Sequence, residues 1–341
     1  MRIELLTEKY FEAYDAFLEQ HECAMLYYSI KFKLFLEKLT ACEDIYYIAF
    51  ENDEIVGVLP LMCKSGKFGK VINSLPYYGS NGGVLAKNDI VKDALIKKYL
   101  EIINSGQFIV STLIENPLDS NKLYQQLENT ENDYRIGQFT KIQGAYSDIE
   151  DLMVKFHYKT RNTIRKAVKS EVIIAVENNM FQFLEETHTE NMQSIGGLAK
   201  TKQFFALISE TFEPEKDFNI YVARREGIPI AALLVFYSNR VVEYYTPVIV
   251  KEFRHFQALS LLITQAMFDA AKNDFIWWNW GGTWATQGGV YDFKSRWGTV
   301  DLNYNYHIKI NNQQVYNLTK EELLTEYPSF FVLPFSKLKT S

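Results

Sequence analysis

Between Lys155 and Lys169 the chain carries Lys155, Lys159, Arg161, Arg165, Lys166 and Lys169, with no acidic residue among them. On a helix, Arg161, Arg165 and Lys169 fall at i, i+4 and i+8 and share one face, with Ile164, Ala167 and Val168 turned to the packing side. Like charges at this spacing destabilise a helix by about 0.2–0.5 kcal/mol per pair, so the run points to an anionic partner. A guanidinium forks onto phosphate oxygens, which suits the pyrophosphate of a nucleotide-linked or lipid-linked precursor. The plainer alternative is a solvated basic face near the acidic residues of Asp148–Asp151.

Further candidates are scattered along the chain. Glu243 and Tyr245 alternate with Tyr244 in a predicted strand and point to one face, which makes Glu243 a candidate base. Ser80-Asn81-Gly82-Gly83 can turn backbone N–H groups toward an anion, because Gly tolerates positive φ, or can be a plain turn. Tyr77 and Tyr78 precede it, and alternation sends them to opposite faces, one for a ligand and one for the core. Trp277, Trp278, Trp280 and Trp284 crowd one strand and its exit, with Trp297 beyond. Strand aromatics usually pack inside. Trp280 and Trp284, beside Gly281-Gly282, are the two expected to line a cleft.

Composition removes several classes. The chain has 341 residues, 47% of them hydrophobic and 23% charged, with 17 Gly and 8 Pro, which excludes disordered and collagen-like chains. A net charge of −6 argues against a protein that coats nucleic acid, and no DNA partner is expected. Five dispersed His and three scattered Cys (Cys23, Cys42 and Cys63) give no metal-ligand spacing and no disulfide framework. The longest apolar stretch, Ile228 to Tyr237, is too short to span a bilayer. The N-terminus lacks the pattern of a signal peptide, so the cytoplasm is the expected location.

The elements that position these residues repeat. Ile45–Phe50, a polar turn and Ile55–Met62 read as a hairpin followed by a strand from Val71 to Tyr78. Asn219–Arg224, Ile228–Tyr237 and Val241–Pro247 repeat that meander at an offset of about 170 residues. A helix from Asp89 to Asn104 leads into the strand Phe108–Glu115, as a helix from Gln257 to Asp274 leads into Phe275–Trp280. Each copy opens with a short strand and an amphipathic helix and closes with a strand pair, near Tyr134–Ile142 and Leu302–Ile310. The fold expected is α/β in the α+β sense: two tandem units, each a mixed, mostly antiparallel sheet flanked by helices. The boundaries implied are 1–148 for the first, and 149–341 for the second with its basic entry helix and its C-terminal tail. The apolar tail Tyr327–Lys339 is expected to dock on the first unit or to touch a membrane surface.

This element order is similar to the GNAT N-acyltransferase unit, and a tandem pair resembles the FemAB-like acyltransferases, related to the Fem peptidoglycan-bridge aminoacyltransferases. The residues that carry it are Leu75-Pro-Tyr-Tyr-Gly-Ser-Asn-Gly-Gly-Val84, Lys159-Thr-Arg-Asn-Thr-Ile-Arg-Lys-Ala167, and Gly281-Gly282 with Gly289-Val-Tyr-Asp-Phe-Lys-Ser-Arg-Trp-Gly298. The family pattern implies charge stabilisation by Lys294 during acyl transfer. It also implies an acyl-CoA or an aminoacyl-tRNA as co-substrate, with no bound cofactor. The loop where a GNAT enzyme cradles the CoA pyrophosphate is here Val248–Gln257; it has no Gly, leaving Lys251, Arg254 and His255 to meet a phosphate at the helix N-terminus. No stretch between Glu171 and Asn219 is long enough for the helical arm of bridge-forming Fem enzymes. The broader FemAB-like acyltransferases, which act on surface-polysaccharide or lipid-linked sugar precursors, are the better match.

The function expected is N-acyl or aminoacyl transfer to an amine of a cell-envelope precursor. Catalysis is expected from Lys294, Glu243 and Tyr245. Substrate binding is expected from Lys159, Arg161, Arg165, Tyr78, Asn81, Trp280 and Trp284, and donor binding from Arg254 and His255. The alternatives are aminoacyl-tRNA-dependent formation of a peptidoglycan bridge, which would make tRNA a partner, and a non-catalytic nucleotide-sugar module. A lipid-linked acceptor would bring the protein to the inner face of the membrane.

Overall fold

In a computed structural model the chain divides into two compact units: residues 1–136 with 302–341, and residues 137–301. The structure describes residues 1–77, 79–119, 122–128, 130–284 and 286–339. Tyr78, one of the expected binding residues, lies outside them.

The first unit runs β1 (Arg2–Leu5), α1 (Phe11–Gln20), α2 (Ile30–Thr40), β2 (Tyr47–Glu51), β3 (Glu54–Leu59), β4 (Met62–Gly66), β5 (Gly69–Asn73), α3 (Asp89–Ile103) and β6 (Phe108–Ile114). The expected strand Ile55–Met62 is two strands, because Pro60 has no N–H to give the ladder. β1, β2 and β3 form an antiparallel sheet edged by Leu85–Ala86, whereas β4 pairs with β5, and β5 pairs in parallel with β6. β5 ends at Asn73, not Tyr78. Leu75 and Tyr77 take φ of 147° and 79°, and the chain leaves the sheet there. Asn88 caps α3, its side chain accepting from Val91 N at 3.0 Å. The helix buries Val91, Leu95, Ile96, Tyr99 and Ile103 in the core of this unit.

Two long strands, β7 (Glu131–Lys141) and β13 (Thr299–Ile310), each contain a unit boundary. The second unit then runs α4 (Tyr158–Lys169), β8 (Ile173–Val176), α5 (Phe181–Gln193), α6 (Lys202–Thr211), β9 (Phe218–Arg225), β10 (Ile228–Ser238), β11 (Val241–Ile249), α7 (Ala258–Lys272), β12 (Trp277–Thr283) and α8 (Gly288–Ser295). Strand order is β8-β9-β10-β11-β12, with β7 beside β12. β8 to β11 are antiparallel, and β12 joins β11 in parallel. α7 is apolar nearly all round and lies in the core with Leu233, Val235, Trp278, Trp280 and Trp297.

Each unit has a pair of helices between its first strand and its meander where one was expected. The apolar spacing of Ile30, Phe32, Phe35 and Leu36 supports the second helix of the first unit, and Ser29 caps it. The C-terminal residues belong with the first unit, which moves its composition away from a single cut at 148. Tyr306–Ile310 of β13 pair antiparallel with β6, and Asn73 exchanges hydrogen bonds with the backbone of Phe331 at 2.7 and 2.9 Å. Asn73 is an interior strand residue that needs a polar partner, and the tail supplies one. The tail therefore docks on the first unit.

Candidate active site

β11 and β12 hold the second unit's site. Their parallel ladder covers Val241 with Trp277, Val242 with Trp278 and Glu243 with Asn279, and goes no further. Past that point β11 bulges at Tyr245, where Leu234 and Val235 of β10 face Thr246 and Tyr244. β12 bends away at Gly281, whose φ of 75° is a conformation that favours glycine. The strands separate, leaving backbone polar groups to be met by something other than each other.

Lys294 closes the end of this gap. It sits in the last turn of α8, is buried, and donates to Gly281 O at 3.1 Å, Gly282 O at 3.3 Å and Thr283 Oγ1 at 2.8 Å. All three ammonium protons are thus directed at β12. Burial lowers its pKa to about 8, since a desolvated cation is disfavoured. The Thr283 hydroxyl donates in turn to Gln138 Oε1 of β7 at 3.1 Å.

Glu243 is buried, and its Oε2 accepts from Asn279 Nδ2 at 2.8 Å. Asn279 Oδ1 accepts from Gly281 N at 2.8 Å. One amide side chain therefore ties the carboxylate of β11 to the glycine turn that Lys294 grips. The sequence expectation did not include Asn279. Its signal was present as a polar residue between Trp278 and Trp280 in an otherwise aromatic strand.

The other expected residues are spread more widely. Tyr245 is half-buried and stacks on Phe204 of α6, ring centroids 5.9 Å apart and planes 4° from parallel. Lys200 faces both rings, at 5.6 Å from Phe204 and 5.4 Å from Tyr245, and desolvation lowers its pKa to about 8. Trp280 is a core residue, its indole N–H donating to Thr140 Oγ1 at 2.9 Å and its ring packed on Trp297 at 5.3 Å. Its place in the strand turns it inward rather than toward an opening. Trp284 follows β12 and is half-buried. Asn81 belongs to the first unit and is buried, with Nδ2 3.5 Å from Glu115 O.

The basic helix α4 divides in two. Arg165 is exposed and paired with Glu150, NH2 to Oε2 at 2.6 Å, an interaction that raises its pKa. Arg161 is half-buried and donates to Phe156 O at 3.0 Å, whereas Lys159 is exposed. Phe156 packs edge-on to Trp297 at 5.0 Å and His157 N donates to Arg296 O at 2.8 Å. Arg161 thus stands beside the segment that carries Lys294. Gly298 makes this junction close: a Cβ there would lie 2.6 Å from Lys155 O, and its φ is 71°.

Arg254 and His255 are exposed on the helical turn Lys251–Phe256, and the next residue, Gln257, takes φ of 59° at the start of α7. Gln257 thus takes the left-handed conformation that glycine favours. Lys251, Arg254 and His255 at the N-terminus of this 15-residue helix are suited to phosphate.

Residues 155–295 match the model of the GNAT acetyltransferase domain. No curated protein matches the sequence. Similar solved structures include FemX, with a TM-score of 0.74 and 15% identity over 93% of this chain and 99% of that one. They also include L-PGS from Bacillus licheniformis, with a TM-score of 0.52 and 12% identity over 92% and 94%. A tandem GNAT protein from the clavulanic acid biosynthesis pathway has a TM-score of 0.50 and 9% identity over 90% and 97%. The chain has a tandem GNAT fold with the architecture seen in FemX, and residues 155–295 of its second unit match the GNAT acetyltransferase domain.

Proposed function

We propose that the protein transfers an acyl or aminoacyl group to an amine of a cell-envelope precursor, a nucleotide-linked or lipid-linked sugar or peptide. The observation that carries this reading is the buried Lys294 ammonium held on β12 where the ladder between β11 and β12 has ended. The likeness to FemX and L-PGS supports the acceptor class, and the GNAT domain favours acyl-CoA as the donor to try first.

In this reading the donor carbonyl lies in the gap and its phosphates reach Lys251, Arg254 and His255. The acceptor amine attacks the carbonyl carbon, a C–N bond forms, and the negative charge moves to the carbonyl oxygen. Lys294 stabilises that oxyanion; its 3.3 Å bond to Gly282 O is the longest of the three and the one an oxyanion displaces. Collapse breaks the C–S or C–O bond to the leaving group. Glu243, held by Asn279, takes the proton released by the attacking nitrogen. Arg161 binds the acceptor's pyrophosphate.

The test is a screen of acyl-CoAs and aminoacyl-tRNAs against amino-sugar nucleotides, read by mass spectrometry, with Lys294→Met as control. Product formed by the wild type and lost in the variant supports the reading. Binding of nucleotide sugar without turnover from any donor would leave the non-catalytic module in its place. Transfer only from aminoacyl-tRNA, weakening with salt, would mark the bridge-forming reaction.

A further inference from the structure

The first unit holds a second polar site, in which His307 of β13 and Glu115 at the end of β6 form a buried hydrogen-bonded pair, Nε2 to Oε1 at 2.7 Å. Their side chains are 9% and 5% exposed. The other carboxylate oxygen of Glu115 accepts from Asn305 N at 3.0 Å, and Glu115 N donates to Asn305 O at 3.0 Å. Each oxygen of Glu115 thereby accepts a hydrogen bond, which fixes the carboxylate. Because it accepts from Nε2, that nitrogen is protonated whether the ring is neutral or charged. Among the described residues no group bonds the other nitrogen, Nδ1.

The pair lines a cavity of about 370 Å³, within the range of about 300–1,000 Å³ usual for small-molecule sites. The amides of Asn132, Asn305 and Gln125 line it too, with Lys122 exposed at its edge. Tyr124 backs His307, ring centroids 5.7 Å apart and planes 28° from parallel, which holds the imidazole in place. A ligand here meets amide groups, an imidazole nitrogen and an ammonium. The one carboxylate in the lining, Glu115, is already hydrogen-bonded through both oxygens. Hydroxyls are therefore favoured over amines, and an anionic group is favoured over a cationic one.

We propose that this cavity binds a hydroxyl-rich anion of the sugar-phosphate class, with a hydroxyl or phosphate oxygen on His307 Nδ1 and the phosphate on Lys122. The neutral ring accepts from a hydroxyl and the charged ring donates to a phosphate oxygen, so both forms of His307 serve the same ligand. The site lies wholly within the first unit and is independent of the acyl-transfer reading.

Glucose 1-phosphate is the probe, with glucose and inorganic phosphate as comparison arms. Calorimetry gives affinity, and imidazole ¹⁵N resonances give location, which is practical with five His in the chain. The sugar phosphate is expected to bind more tightly than either arm and to shift the His307 Nδ1 resonance. Lys122→Ala, at an exposed position, is expected to weaken binding up to about fivefold, and His307→Gln to weaken it further. Should His307→Gln not fold, Lys122→Ala and Gln125→Ala still decide the matter. No saturable binding of glucose 1-phosphate would overturn the proposal. So would binding that leaves the His307 resonance unmoved, or phosphate alone binding as well as the sugar phosphate.

Discussion

Lys294 Nζ and Thr283 Oγ1 lie 2.8 Å apart, joining the end of α8 to the end of β12. The Thr283 hydroxyl donates its hydrogen bond to Gln138 Oε1, so its lone pairs are what Lys294 meets. The ammonium is held by geometry as well as by charge.

Removing that cation separates its two roles. Lys294→Met keeps most of the volume and deletes the charge, and turnover is expected to fall by roughly 10²–10³-fold. Because the buried Thr283 loses its donor, along with the less buried carbonyls of Gly281 and Gly282, stability is expected to drop by about 1–3 kcal/mol. Steady-state kinetics and urea unfolding check the two effects. Unchanged kcat would remove Lys294 from the chemistry.

The acid–base behaviour of the same group sets a pH dependence. Its pKa falls from 10.5 in the unfolded chain to about 8 in the folded one. Between those values the unfolded state binds more protons, so the contribution of this group to stability rises with pH through that window. Activity that needs the ammonium runs the other way and declines as pH passes about 8. Lys200 is lowered to about 8 as well, so both lysines contribute to the stability slope. Thermal midpoints from neutrality upward should show a smaller slope in Lys294→Met, while the alkaline fall in kcat should survive Lys200→Met.

Asn279 bridges Glu243 and Gly281, and its loss removes a hydrogen bond from a buried carboxylate. Asn279→Ala is expected to cost about 1–3 kcal/mol. Glu243→Gln keeps the size and removes the base, with kcat expected to fall about 10²–10⁴-fold if the proton goes there. Denaturant midpoints and pH–rate profiles of both variants provide the check.

Arg161 and Arg165 look equivalent as letters and differ in place. Arg165 is paired with Glu150 at the exposed surface, and Arg165→Ala is expected to change stability and acceptor KM little, within about 1 kcal/mol. Arg161→Ala is expected to raise acceptor KM by about tenfold or more through a lost charge-assisted hydrogen bond. Equal effects of the two variants would assign the anion to the helix face as a whole.

Gly298 is expected to tolerate no side chain. Gly298→Ala places a Cβ 2.6 Å from Lys155 O at a φ of 71°, and destabilisation of about 1–3 kcal/mol follows from the strained backbone. Equilibrium unfolding tests this. The loss of Arg161 and Lys294 function together would show that the junction aligns α4 with α8.

How far the sequence reached follows from the range of each signal. The β-branched and aromatic runs of β9, β10 and β11 and the apolar content of α3 and α7 are local, so these elements and their repetition could be read from the letters alone. The basic character of Lys155–Lys169 and the candidacy of Lys294 could be read as well. Partnership could not. That Glu150 claims Arg165, that Trp280 turns inward onto Trp297, and that Asn279 ties Glu243 to Gly281 depend on segments brought together from across the second unit. The return of the C-terminal residues to the first unit is of the same kind, because Asn73 and Phe331 are 258 positions apart and no local pattern records their hydrogen bonds. Periodicity dictates which face of an element is apolar. Only the packed structure decides which polar group finds a partner and which is left for a ligand.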